Sequence, residues 1–166
     1  MKLNEAKQKF IESWGTFGTK WGINRTMALV HGLILAADKP VSTEDIMEQL
    51  NVSRGNANMN IRALIDWGLA HKVFISGERM EYFEAEKDIY KVALMIIRER
   101  RKRELEPIRN MLQDLQKIED KGKSADNFKK VIKDIDEFAE FADKAMEKMI
   151  KNDRAWMLKV LKKVIT

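Results

Sequence analysis

The 166-residue chain contains no cysteine, which excludes disulfides and thiolate metal sites. It has two histidines, His31 and His71, far apart and without carboxylates at ligand spacing. His31 falls in an apolar stretch and reads as a packed, hydrogen-bonded core residue. No glycine-rich phosphate loop is present, because Gly15, Gly18 and Gly22 lie on a helical stripe with no strand before them. The acidic residues are scattered. These absences point away from an enzyme, and no cofactor is expected. No apolar run approaches the roughly 20 residues that span a bilayer. The longest candidate, Thr26 to Ala37, is interrupted by His31 and Gly32. Met1-Lys2-Leu3-Asn4-Glu5 has no apolar signal core. A cytoplasmic protein without membrane partners is the expectation.

What is present suits a globular fold: 45% hydrophobic and 34% charged residues, enough for one domain with a helical extension. The net charge of +5 suits a nucleic-acid binder, but its distribution is uneven. Residues 24–86 carry six Lys/Arg against nine Asp/Glu, a net of −3. Residues 91–103 carry six basic residues against one acid, Glu99. Any DNA reading therefore rests on local residue order and not on global charge.

Leu3, Phe10, Trp14, Phe17 and Trp21 form one helical stripe. Gly15, Gly18 and Gly22 interrupt it and lower its helicity. Arg25 to Ala37 reads as a second, more uniformly apolar helix, ended by Asp38-Lys39-Pro40. Thr43 reads as the N-cap of a short helix with Glu44 and Asp45 in its first turn. Asn51-Val52 makes a turn, Ser53 caps the next helix, and Gly68 ends it. Leu69 to Ser76 and Met80 to Glu86 read as two strands around a Gly77-Glu78-Arg79 tip. Asp88 caps a long helix through Arg103, and Pro107 either kinks it or opens a new one. After Lys121-Gly122-Lys123-Ser124, residues 125–151 form an amphipathic helix with Phe128, Ile132, Ile135, Phe138, Ala142, Ala145 and Met149 on its apolar side. A last turn or helix carries Trp156, Val160, Leu161 and Val164.

This order is a winged helix-turn-helix, a module that places one helix in a DNA groove. The expected fold is mainly α with a small β-wing. With Ser53 as N-cap, Ala57, Ile61, Leu64 and Ile65 face the core. Gly55, Asn56, Met59 and Arg62 face away, with Asn60 on the flank and Arg54 in the first turn. Asn reads adenine edges or binds phosphate, and Arg reads guanine or clamps phosphate. Asn56, Asn58 and Asn60 within five residues suggest a purpose, since Asn is a poor helix former. Arg79 at the wing tip suits a narrow minor groove. The candidate DNA-binding residues are thus Ser53, Arg54, Gly55, Asn56, Met59, Asn60, Arg62 and Arg79.

The run Ser53 to Ala70 resembles the recognition helix of the GbsR-like branch of MarR-type transcription regulators. Gly77-Glu78-Arg79 is similar to that family's wing, with the acid here directly before Arg79. Phe10-Ile11-Glu12-Ser13-Trp14-Gly15 also fits the branch. The resemblance covers roughly residues 10–111. It implies a homodimer on a pseudo-palindromic operator, with helices from both chain ends forming the interface. It also suggests a small-molecule effector, of quaternary ammonium type in some members.

Three segments are expected: 1–23, an N-terminal dimerisation helix; 24–87, the winged module; and 88–166, a C-terminal helical dimerisation region. The aromatic stripe and the stripe from Phe128 to Met149 are the dimerisation surfaces. Trp14, Phe17 and Trp21 are a candidate quaternary ammonium pocket through cation–π contact, set against a purely packing role. The leading expectation is a homodimeric repressor that binds double-stranded DNA through about residues 53–67 and 76–81. The competing one is a winged-helix scaffold that binds protein, which the acidic balance of residues 24–86 favours.

Overall fold

The computed structural model describes residues 1–20 and 22–152. Trp21 and the expected final helix with Trp156, Val160, Leu161 and Val164 lie outside the described residues. The chain divides into two compact units, Met1–Val92 and Ala93–Thr166.

The first unit begins with α1 (Leu3–Lys20) and α2 (Arg25–Ala36), the latter capped by the Asn24 side chain. The glycines of α1 do not interrupt it. A Cβ on Gly18 would lie 2.4 Å from the Ala28 Cβ, and one on Gly15 would lie 2.6 Å from Leu29 Cδ2. They mark where α2 comes closest, so their cost in helicity is offset by contact between helices. The buried side of α1 is accordingly Ile11, Gly15 and Gly18. Leu3, Phe10 and Phe17 are turned outward and exposed. Trp14 lies between the two sides, and its indole N–H donates to His31 Nδ1 at 3.2 Å.

Next come β1 (Val41–Ser42), α3 (Thr43–Leu50) and α4 (Arg54–Asp66). The α3 cap is Ser42, one residue before the expected Thr43. Ser42 Oγ accepts from the Asp45 N–H, and the Asp45 carboxylate accepts from the Ser42 N–H, a reciprocal box that Thr43 cannot form one residue later. Asn51, at φ 50°, turns the chain into α4. The end of α4 is a Schellman turn: Gly68, at φ 78°, donates to Ile65 O, and Leu69 donates to Leu64 O.

Strands β2 (Ala70–Val73) and β3 (Tyr82–Ala85) pair antiparallel, with β1 on the far side of β3, in the order β1-β3-β2. Both wing strands are shorter than the sequence suggested. Phe74 leaves the ladder because almost nothing packs on it; it is 95% exposed. Strand propensity expresses fit to a half-buried surface, and none is available there. The core of this unit includes Val30, Ile34, Ile46, Ile61, Leu64, Leu69 and Phe83. Lys87, just past β3, donates to the carbonyls of Ile34, Leu35 and Ala37, which satisfies the open end of α2.

Helix α5 (Ile89–Arg100), capped by Asp88, contains the division between the units. It continues into a π-helical turn, Arg101–Leu105, and α6 (Glu106–Leu115). Pro107 therefore opens a new helix. Its ring would collide with the Arg103 carbonyl in a regular α-turn, and the wider π-turn sits at that point. Helix α7 (Lys123–Lys151) packs antiparallel on α6 through Leu112, Ile132 and Ala139. Ile132 thus leaves the expected outer stripe for the inner one.

Two predictions follow from the packing in the first unit. Gly18→Ala should lower stability by roughly 1–3 kcal/mol through overcrowding, and adding Ala28→Gly should recover part of the loss, read as urea midpoints. Burial, aided by the charge of Lys87, lowers the His31 pKa from 6.5 to about 4. The fold holds His31 neutral while the unfolded chain takes up a proton below pH 6.5. Stability should therefore fall between about pH 6.5 and 4, by at most about 3 kcal/mol from this group. His31→Gln should remove that part of the slope.

Candidate nucleic-acid interface

Helix α4 presents two chemically distinct sides. Ala57, Ile61 and Leu64 are buried. Ser53 caps the helix through the Asn56 N–H at 3.2 Å and is exposed. Arg54, Gly55, Met59 and Arg62 are exposed as well, and Asn56 is half-buried beside them. A Cβ on Gly55 would meet nothing within 4 Å, so the helix backbone is open to close approach there. The helix N-terminus adds its own partial positive charge.

The three asparagines separate. Asn60 is 3% exposed, not on an open flank as its position on the helical wheel suggested. Its Nδ2 donates to the Asn56 carbonyl at 2.8 Å and to Asn56 Oδ1 at 2.7 Å. Asn58 accepts from Thr43 Oγ1 at 3.3 Å, which ties α4 to α3. Asn56 alone of the three borders the exposed side.

Each arginine on this side has a carboxylate neighbour that the sequence reading missed. Arg54 Nη2 donates to Glu44 Oε1 at 2.6 Å. Arg62 lies 3.8 Å from Glu81, which also receives a hydrogen bond from Lys72. These bonds, from Arg54 to Glu44 and from Lys72 to Glu81, hold both carboxyls below the usual carboxylate range. The partners are 10 and 19 residues apart, beyond any helical spacing rule. Arg79 is exposed in the wing loop 74–81, where Gly77 has φ 86°. The side therefore offers cations held by exchangeable carboxylates, a bare stretch of helix, one amide and one thioether. Exposed ion pairs of this kind are worth little and can be traded for phosphates.

The described aromatic residues of the N-terminal stripe form a ladder along α1. Ring centroids are 5.5 Å apart for Phe10 and Trp14 and 5.9 Å for Trp14 and Phe17. A cavity of about 540 Å³ lies elsewhere, between α1, the end of α2 and α3, with Ile11, Leu33 and Val41 among its lining and neither Trp14 nor Phe17. Among the described residues there is no metal-type cluster of His and carboxylates and no helix long and apolar enough to cross a membrane.

No family model matches the chain. Three proteins of Bacillus subtilis (strain 168) are similar to it. The HTH-type protein YvaV is 27% identical over 94 residues, 57% of this chain and 53% of its own length. The HTH-type transcriptional repressor OpcR is 26% identical over 57% of this chain and 51% of its own. The HTH-type transcriptional repressor GbsR is 26% identical over 54% and 49%. The chain thus spans about half the length of the curated relatives it matches. A crystal structure of a transcriptional regulator superposes with a TM-score of 0.66 at 17% identity, over 87% of this chain and 95% of that one, and shares its fold. By fold the chain is a winged helix-turn-helix protein, and by sequence it is similar to these HTH-type regulators, GbsR among them.

Proposed function

We propose that the chain is a homodimeric transcriptional repressor that binds a pseudo-palindromic operator in double-stranded DNA. The observation that carries this reading is the exposed side of α4, with Arg54, Gly55, Asn56, Met59 and Arg62 beside a wing that bears Arg79. A helix presented this way fits the major groove, and a wing arginine fits the adjacent minor groove. Repression follows the names of OpcR and GbsR. Two modules held about one DNA turn apart gain both affinity and a longer site, and the acidic balance of residues 24–86 makes that gain necessary.

Pairing is supported by the outer side of α7. Phe128, Val131, Ile135, Phe138, Ala142, Ala145 and Met149 recur at alternating spacings of three and four. The first four are exposed, Phe138 at 73%. A stripe of this length and exposure suits a second copy. The outward rings of Phe10 and Phe17 on α1 are a second such surface.

Selection of duplexes from a random pool should return a two-fold symmetric motif, with affinity falling steeply as salt rises. Arg54→Ala with Arg79→Ala should weaken binding at least tenfold and flatten that salt slope by about two phosphate contacts. Failure to enrich any duplex, together with capture of a basic-surface partner, would favour the protein scaffold. Glu44→Gln and Glu81→Gln should each tighten binding several-fold at low salt, since each frees an arginine and removes a charge that phosphates repel. Phe138→Asp should shift the sedimentation of the chain from dimer to monomer; a wild-type chain that already sediments as a monomer would end the pairing proposal.

A further inference from the structure

We infer that the exposed side of α4 reads thymine in the major groove, with Asn56 Nδ2 donating to thymine O4 and Met59 packing on the C5-methyl group. This rests on the DNA-binding reading above and deepens it.

The orientation of Asn56 is forced by its neighbour. Asn60 points one end of its amide at the Asn56 main-chain carbonyl, 2.8 Å away. A carbonyl only accepts, so that end is Nδ2. The same Nδ2 lies 2.7 Å from the Asn56 side chain, which must therefore turn its oxygen inward to accept. Asn60 is 3% exposed, so this contact is sheltered from water and from DNA. What Asn56 presents outward is its NH2 group, which has no partner among the described residues. Reading adenine with both ends of an amide needs an outward oxygen to accept from N6 and an outward nitrogen to donate to N7. Here the oxygen is committed to Asn60. Asn56 is left as a pure donor, matched to an acceptor: thymine O4, guanine O6 or N7, or a phosphate.

Met59 decides among these. It stands three residues on, next to Asn56 on the helix surface, and is 62% exposed. It has no donor and only a weak acceptor, and its contribution is dispersion and burial. The thymine C5-methyl is the apolar group that base edges offer in the major groove, and it adjoins O4 on the same ring. Gly55, one helical turn before Met59, removes the side chain that would hold the helix away from that edge. Arg62, one further step along the side, remains available for phosphate or guanine once it exchanges Glu81.

The test uses the duplex selected by the wild-type chain. Each thymine is replaced in turn by uracil, which removes the methyl and leaves every hydrogen-bonding group in place. At one position per half-site, uracil should weaken wild-type binding by about 4-fold, the value of one buried methyl. The Met59→Ala protein should bind thymine and uracil versions of that position within about twofold. Asn56→Asp should lose preference at the same base pair, since a carboxylate cannot donate to O4. Asn60→Leu, which releases the Asn56 oxygen, should shift that position toward adenine on reselection. Helical circular dichroism of each variant checks that it is folded, and Met59→Ala alters only an exposed side chain. A selected site in which no thymine responds to loss of its methyl, or a response that persists in Met59→Ala, overturns this inference while leaving DNA binding intact. A wild-type chain that selects no duplex overturns the DNA reading and this inference with it.

Discussion

The placement of one side of α4 depends on the burial of the other. A helix of 13 residues has no means of its own to choose which residues face outward. Ala57, Ile61 and Leu64 make that choice because they are the residues that leave water. Three further constraints remove the freedom that remains. Ser53 fixes the start of the helix, the Gly68 turn fixes its end, and the Thr43 contact to Asn58 fixes its rotation against α3. Helix α2 then supplies the floor on which α4 and β3 rest, and the close approach of α1 at Gly15 and Gly18 covers the opposite side of α2. Lys87 closes the circuit by joining the end of β3 to the last carbonyls of α2. A small shift of α2 is thereby felt both by the wing and by the outward side of α4.

The electrostatics of that outward side are conditional. Arg54 and Arg62 face Glu44 and Glu81 in the free chain, so an approaching phosphate must displace a carboxylate before it gains a guanidinium. Exchanges of this kind between exposed groups come close to balancing. A module built so gains little from one encounter with DNA and much from two held at a matching distance. In the proposed dimer, the shortage of positive charge between residues 24 and 86 and the apolar stripe on α7 become two aspects of one arrangement. A strongly basic module would bind DNA without pairing and without regard to sequence.

Much of this was legible in the sequence because it depends on local chemistry. The order of helices, the Ser53 cap, the Gly68 stop and the wing follow from caps, turns and periodicity, which act within a few residues. Most of what escaped was decided by partners distant in the chain, and the rest by depth. The glycines of α1 looked like breaks because Ala28 and Leu29 could not be seen across from them. Asn60 looked like a flank residue because a helical wheel has no depth, whereas the fold gives it a partner one turn away and closes the surface over it. The wing strands looked longer because Phe74 favours a strand wherever there is a surface to pack on, and here there is almost none. The carboxylates beside Arg54 and Arg62 come from other elements and leave no trace in spacing.

The second unit shows how one helix acquires two apolar sides without ambiguity. Residues 128, 131, 135 and 138 and residues 132 and 139 both recur at helical spacing, so α7 could rest on α6 by either stripe on hydrophobicity alone. The outer stripe is in fact richer in aromatic area. The charged residues of the inner side settle the matter. Asp143 receives hydrogen bonds from both Arg101 and Arg109, and the first of these, with Arg101, pulls its carboxyl below the usual range. Asp136 accepts from Gln116 further along the same seam. Turning α7 to bury the outer stripe against α6 would separate Asp143 from Arg101 and Arg109 and set both guanidiniums against apolar side chains. Sliding it by one turn would separate the same groups. The π-turn belongs to this lock, because it carries Arg101 within bonding reach of Asp143 just before Pro107 restarts the α-helix. Polar contacts that add little to net stability thus determine which apolar side α7 spends on its own chain, and thereby which one it leaves open.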